Sequence, residues 1–333
     1  MFDSVGIFSL VGLSVLFGFL TRRAWRLKSA LGRWAGVVSA GLLTAILVAV
    51  LGLALRGFYW LNERHANPVA DLRVAGTPAQ IARGEQLAHT CVSCHAPGDQ
   101  LPLSGVNFAV KFDLPPLGTL YAPNLTPGGD IDGWTDGEVV RAIREGVHKT
   151  GRSLLVMPTS NYRHMSDADA QAIVAYLRSQ PATGGPTPTN QLNLLGALFL
   201  NLAEYLSAQP PVGSVPSPRP GSLEEGQYLV KILNCHECHG DRLQGKVDDG
   251  LPGPTPGPNL THIVPQWTEE QFLHFFNTGE LPGGGKVPIL TLPSGFSQPR
   301  MPWPSVRAAT TDDELKAIYA YLSSLPPVEG PAR

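Results

Sequence analysis

Cys91-Val92-Ser93-Cys94-His95 and Cys235-His236-Glu237-Cys238-His239 are the two stretches on which the reading of this chain turns. The pattern C-x-x-C-H is the attachment signature of a c-type haem. Its two thiols add to the vinyl groups of the macrocycle as thioethers, and the adjacent His is then held close enough to the iron to be its proximal ligand. The two motifs use all four cysteines of the 333 residues. One tetrahedral zinc site drawn from both motifs would tie two repeated units together through a single ion, which their separate surroundings argue against. A C-x-x-C redox motif would sit near a βαβ pattern, and none is visible. The expected cofactors are therefore two covalently attached c-type haems, on Cys91 and Cys94 with His95, and on Cys235 and Cys238 with His239.

Outward from the motifs, two blocks repeat one order of features, and repeats reveal architecture. A helix-like stretch precedes each motif, Ile81-Ala-Arg-Gly-Glu-Gln-Leu and Leu223-Glu-Glu-Gly-Gln-Tyr-Leu. After it come Pro-Asn-Leu-Thr at 123–126 and 258–261, then Trp134-Thr-Asp-Gly-Glu and Trp267-Thr-Glu-Glu, whose threonines are expected N-caps with acids in the first turn. Each block then has a Met-Pro pair and closes with an amphipathic helix, led by Ser166-Asp-Ala-Asp and by Thr311-Asp-Asp-Glu, that stops at Pro181 or Pro326.

The Met-Pro pairs supply the sixth ligand. His95 to Met157 is 62 residues, and so is His239 to Met301. Proline fixes the backbone beside each thioether, and thioether ligation raises the reduction potential. Met157 and Met301 are the expected distal ligands. Met165 competes with Met157 but has no counterpart in the second block, and His148, His164, His262 and His274 recur at no matching positions. His89 and His236, beside the motifs, read as solvated. Asn124, Asn259, Trp134 and Trp267 are candidates either to bond a haem propionate or simply to fix loops around the macrocycle, the second being favoured.

The remaining sequence places the blocks. Val5–Leu20 and Ala35–Leu55 are uncharged runs of 16 and 21 residues. The second is about 31 Å long as a helix, enough for a hydrocarbon core of roughly 30 Å. Arg22, Arg23, Arg26, Lys28 and Arg33 lie between the runs with no acid among them, so that loop is expected in the cytoplasm and all that follows Leu61 outside. A cleaved signal peptide at 1–20 is the alternative, but its positive charges would precede the apolar run. The whole chain carries −2, and residues 65–333 carry 18 basic against 25 acidic residues. No large positive field exists to hold nucleic acid. Expected partners are the membrane and other subunits of a membrane redox complex or a soluble electron carrier.

The expected organisation is a two-helix anchor at 1–64, a first domain at 78–182, a Pro/Gly-rich linker at 183–220 and a second domain at 221–328. Residues 66–80 read as a tether. The apolar stretch 192–202 is too short to span a bilayer. It is expected to pack on a domain, or else to dock on a partner or the membrane.

Both blocks resemble class I cytochrome c domains, in the order attachment motif, Met-Pro loop, C-terminal helix with Tyr-Leu. Ala122-Pro-Asn-Leu-Thr-Pro, Gly133-Trp-Thr-Asp-Gly-Glu, Arg144-Glu-Gly-Val and Ala175-Tyr-Leu-Arg-Ser make the first block similar to the cytochrome subunits of membrane-bound alcohol, aldehyde and gluconate dehydrogenases. Those subunits typically carry three such domains, and this chain carries two. The resemblance implies a mostly α fold, two tandem cytochrome c domains behind two transmembrane helices, and single-electron transfer on the outer, periplasmic face of the inner membrane. Six-coordinate irons imply a wire rather than an enzyme. The alternative is a diheme peroxidase-like enzyme with one haem open to substrate.

Overall fold

The computed structural model describes residues 4–200, 207–247 and 256–331. Two long helices open it, α1 (Ser4–Ala24) and α2 (Ala30–Asn62), packed as a hairpin. Trp25 and Trp34 meet edge to face, with centroids 5.7 Å apart, beside the basic turn. Both helices expose leucines, valines and phenylalanines around most of their surface, and both are long and apolar enough to cross a membrane. The second does not stop where its apolar run stops. It continues through the Phe58-Tyr59-Trp60 belt to Asn62, with the Arg56 guanidinium 4.1 Å from the Trp60 ring centroid.

The first repeat comprises α3 (Pro78–Ala88), a 3-10 turn at His89–Cys91, α4 (Val92–His95), α5 (Phe108–Lys111), α6 (Asp136–Glu145), α7 (Thr159–Tyr162) and α8 (Asp167–Ser179). After α9 (Leu194–Phe199) the second comprises α10 (Leu223–Ile232), α11 (Cys235–His239), α12 (Leu260–Ile263), α13 (Glu269–Thr278), α14 (Trp303–Ala308) and α15 (Asp312–Ser324), in the same order except that α12 starts within the Pro-Asn-Leu-Thr loop that α5 precedes. Strands are confined, among the described residues, to three two-stranded antiparallel ribbons. They are β1 (Val106–Asn107) with β3 (Tyr121–Ala122), β2 (Gly118–Thr119) with β4 (Gln191–Leu192), and β5 (Ile289–Thr291) with β6 (Ser297–Pro299).

Local chemistry sets the helix ends. Thr135 and Thr268 cap α6 and α13 in full capping boxes with Glu138 and Gln271, satisfying two orphan N–H groups each. Gly146 and Gly279 end the same helices with φ of 64° and 72°, where a Cβ would be strained. Ser166 and Thr311 cap the closing helices. In each repeat the first helix crosses the closing helix, α3 on α8 and α10 on α15. The crossings are made close by Gly84, which faces the Ala172 carbonyl, and Gly226, which faces the Ala317 carbonyl.

The two repeats share one hydrophobic core, which runs from Leu87, Val92 and Ile173 to Leu229, Phe272 and Ile318. An ion triad bridges them. Arg83 forks onto Asp169 at 2.9 and 3.2 Å and reaches Glu314 of the second repeat at 2.7 Å. Tyr228 of the second repeat donates to Asp169 at 2.6 Å. Burial by itself would lower the Arg83 pKa, but hydrogen bonds and attraction from Asp169 and Glu314 outweigh it and raise it. Removing one partner of a buried pair leaves uncompensated charge. Arg83→Leu is therefore expected to destabilise the paired repeats by about 3 kcal/mol, the lower end for such breakage because the group is partly wet. Thermal unfolding measures it.

The Pro-rich stretches do not hang free. The tether expected at 66–80 ends at Thr77, since 78–80 open α3, and it lies along α6, where Arg141 donates to the Asn67 carbonyl at 3.0 Å and the Val74 N–H donates to Asp136 at 2.9 Å. After Pro181 the chain is tied by Asn124 to the Thr183 and Gly185 carbonyls, by Asp130 to Thr187, and by β4 to β2. It returns over the first repeat through Gln209 to the Glu145 carbonyl and Val215 to Asp167. Between these passes, α9 packs on α2. Leu194 meets Gly6, and Gly196 sits against the Leu117 carbonyl. The apolar stretch thus joins the hairpin to the first repeat. Its end at 201–202 lies outside the described residues.

Candidate functional site

In the first repeat, α3 runs into the 3-10 turn and α4, which place Cys91, Cys94 and His95 on consecutive turns. Neither thiol is in a disulfide. Burial pushes Cys91 up to about 11 and raises Cys94 as well, so both are neutral thiols, as addition to a vinyl group consumes. His95 Nδ1 lies 2.9 Å from the Pro123 carbonyl. That contact makes Nδ1 the protonated nitrogen and leaves the Nε2 lone pair free to bind a metal. Burial lowers the His95 pKa more than the carbonyl contact raises it, so the ring is neutral.

His95 lines a narrow apolar cleft together with Cys91, Met157, Tyr162 and Met165. Met157 follows Val156, whose φ of 64° is unusual for a β-branched residue, and its carbonyl accepts the Thr159 N–H at 2.8 Å. The structure therefore brings imidazole and thioether into one cleft. It also brings Met165 there, 2% exposed, so a second thioether shares the wall.

The second repeat rebuilds the attachment helix and the oriented histidine. α11 carries Cys235, Cys238 and His239, and burial pushes Cys235 up to about 12 and raises Cys238. His239 Nδ1 lies 2.8 Å from the Pro258 carbonyl, and burial again lowers its pKa. Gly257 lies so close to the imidazole that a Cβ there would be 2.7 Å from the ring. Met301 packs half-buried on the shared core, and its carbonyl accepts the Trp303 N–H at 2.7 Å, the counterpart of the Met157 bond.

The asparagines of the two Pro-Asn-Leu-Thr loops have their polar atoms committed to protein. Asn124 accepts from Thr126 at 2.9 and 2.8 Å and donates to Thr183 at 2.7 Å. Asn259 accepts from Thr261 at 3.0 and 2.7 Å and donates to Val328 at 2.7 Å. Each ties the loop that orients the histidine to the chain leaving the closing helix. Trp134 differs, because its indole Nε1 is buried with no protein partner.

Three contributors escape a sequence reading. Tyr162 lies on the cleft wall. Gly257 admits the loop to the His239 ring. Lys111, 6% exposed, donates to the Ala96 and Gly98 carbonyls at 2.7 and 3.2 Å and lies 4.7 Å from the Phe296 ring centroid. It clamps the chain leaving α4 with a cation that has no ion-pair partner among the described residues. None has a recurring pattern to announce it. The fit to a c-type haem is nevertheless direct: paired, half-buried free thiols and a neutral imidazole with a free Nε2 in each repeat, with a thioether on an apolar cleft and a spare buried N–H donor in the first.

The profile of the cytochrome c family matches residues 81–181 and 223–326. Among curated relatives, the chain is 29% identical over 315 residues to one of the subunits of nicotinate dehydrogenase of Pseudomonas putida, covering 86% of this chain and 24% of that one. It is 26% identical over 297 residues to the cytochrome c subunit of alcohol dehydrogenase (quinone) of Komagataeibacter europaeus, covering 78% and 60%. It is 30% identical over 321 residues to the gluconate 2-dehydrogenase cytochrome c subunit of Pantoea cypripedii, covering 85% and 65%. The chain thus spans between a quarter and two-thirds of the length of these relatives. With two matched segments, each holding a C-x-x-C-H helix, the chain belongs to the cytochrome c family.

Proposed function

We propose that the chain is a membrane-anchored diheme electron-transfer subunit of a respiratory or dehydrogenase complex. Cys91, Cys94, Cys235 and Cys238 hold two haems as thioethers, His95 and His239 are the proximal iron ligands, and Met157 and Met301 the distal ones. The haem supplies reversible one-electron chemistry, and the protein sets its potential and position. The observation that carries this reading is the matched pair of histidines. Each is neutral, and each is oriented by a proline carbonyl on Nδ1 so that Nε2 is free. The orphaned Trp134 Nε1 suits a propionate. α1 and α2 anchor the chain in the inner membrane with their basic turn inside, so the haem domains face the periplasm. The relatives' names point to a dehydrogenase as the partner.

The test is an anaerobic redox titration of the detergent-solubilised protein, with carbon monoxide added to the reduced form. Two reversible one-electron steps at positive potential and no carbon monoxide adduct are expected. A low-potential centre that binds carbon monoxide would overturn six-coordination in that domain and favour a peroxidase-like enzyme.

A further inference from the structure

The two repeats meet through their site segments, and they do so reciprocally. The helix after Met157-Pro158, α7, lies against the second repeat, where Asn161 Nδ2 donates to Glu237 Oε1, inside the second attachment motif, at 2.9 Å. The helix after Met301-Pro302, α14, lies against the His89–Cys91 turn of the first motif. Each distal loop thus leads into a helix seated on the other repeat's attachment segment.

Tyr162 stands at the middle of this exchange. It is 5% exposed and lines the cleft that holds His95 and Met157. Its Oη accepts a hydrogen bond from Asn234 Nδ2 at 3.1 Å. Thr90 and Cys91 line the same cleft as Tyr162, and the Thr90 Oγ1 donates to the Leu87 carbonyl at 2.8 Å. Thr90 immediately precedes Cys91, and Asn234 immediately precedes Cys235. Asn234 has a left-handed φ of 60°, which asparagine adopts readily, and its Oδ1 is buried without a partner, which carries a desolvation cost.

We propose that Tyr162 is the bridging residue through which the two haem-bearing domains exchange electrons, its ring lining the first cleft beside Thr90 and Cys91 and its phenol bonded to the residue before Cys235. Tunnelling decays less steeply along covalent and hydrogen-bonded links than through gaps. From Cys235 such a line runs through Asn234 and its hydrogen bond to Tyr162, and it needs one through-space step from Tyr162 to the Thr90–Cys91 segment on the same cleft wall. One electron leaves the reduced centre and arrives at the oxidised one. No bond forms or breaks, and Tyr162 keeps its proton.

The inference rests on both domains carrying haem, and the experiment separates the two. Full-length protein, Tyr162→Phe, Thr90→Val and Asn234→Gly are solubilised in detergent, and haem per chain is measured by the pyridine haemochrome assay. Fewer than two haems in the wild type overturns the haem reading. With two haems, inter-haem equilibration after flash photoreduction is recorded with both midpoint potentials and the unfolding temperature. Glycine keeps the left-handed backbone at 234, and phenylalanine and valine keep the shapes at 162 and 90, so at least one variant retains both haems. Equilibration several-fold slower in the haem-replete variants, with the potentials unmoved, is the expected result. A wild-type rate, whatever the unfolding temperature, overturns the bridge and leaves Tyr162 a packing residue.

Discussion

Gly84→Ala and Gly226→Ala each cost the protein the domain they lie in. A Cβ on Gly84 would lie 2.5 Å from the Ala172 carbonyl carbon and 2.8 Å from Tyr176 Cβ, with the Ala172 oxygen closer still. On Gly226 it would lie 2.7 Å from both the Ala317 carbonyl carbon and Tyr321 Cβ. These neighbours are backbone and the roots of side chains in the closing helix, so no flexible end can swing away. The helices must part along the whole crossing, and Leu87, Ile173, Leu229 and Ile318 lose their seats with them. Overpacking a core typically costs about 1–3 kcal/mol. A rigid backbone obstacle at a helix crossing belongs at or above the top of that range. Because α3 and α10 lead directly into the attachment turns, the expected result is one haem per chain instead of two and a lower unfolding temperature. Gly213→Ala, where a Cβ would meet nothing within 4 Å, is the control and is expected to stay within about 0.5 kcal/mol of wild type. Full haem content in either crossing variant would show that the helices can separate without loss.

What sequence alone conveyed was whatever covalent or local chemistry demands. C-x-x-C-H must be contiguous to hold a macrocycle, and a capping threonine must stand three residues before its box partner. Thr135 and Thr268 were therefore readable, as were the two histidines. The equal separations from His95 to Met157 and from His239 to Met301 were readable because methionine is rare here. What depends on distant segments was not. Residues 66–80 and the start of the 183–220 linker look like tethers because prolines lack N–H donors. Yet their carbonyls remain acceptors, and Arg141 and Asn124 find them. Nothing near Tyr162 in sequence marks its role, since Asn234 is 72 residues away. Arg83 gave no sign that it joins two domains, because Glu314 is in the last helix of the second.

The repeat is imperfect at one point that bears on ligation. Eight residues after Met157 stands Met165, and eight after Met301 stands Ala309, fully buried. The first cleft therefore has two thioethers on its wall. Met157 sits on the rigid turn, between the left-handed Val156 and Pro158, whereas Met165 is packed at the entry to α8. If Met157 and Met301 are the distal ligands, Met157→Ala and Met301→Ala each open one iron. The proximal histidine alone then sets the field at that centre. The expected fall in one midpoint potential is ~100–300 mV, well inside the span of about 0.8 V that axial ligation covers. At about 59 mV per tenfold change in a one-electron equilibrium, that is roughly two to five powers of ten. Carbon monoxide should bind the opened centre and leave the other alone. Met165→Leu should leave both potentials in place, since it keeps the volume and removes only the sulfur. The reverse pattern, with Met165→Leu lowering a potential and Met157→Ala leaving it, would move the ligand of the first domain to Met165 and break the symmetry of the two sites. Titrating the three variants beside the wild type reads both outcomes directly.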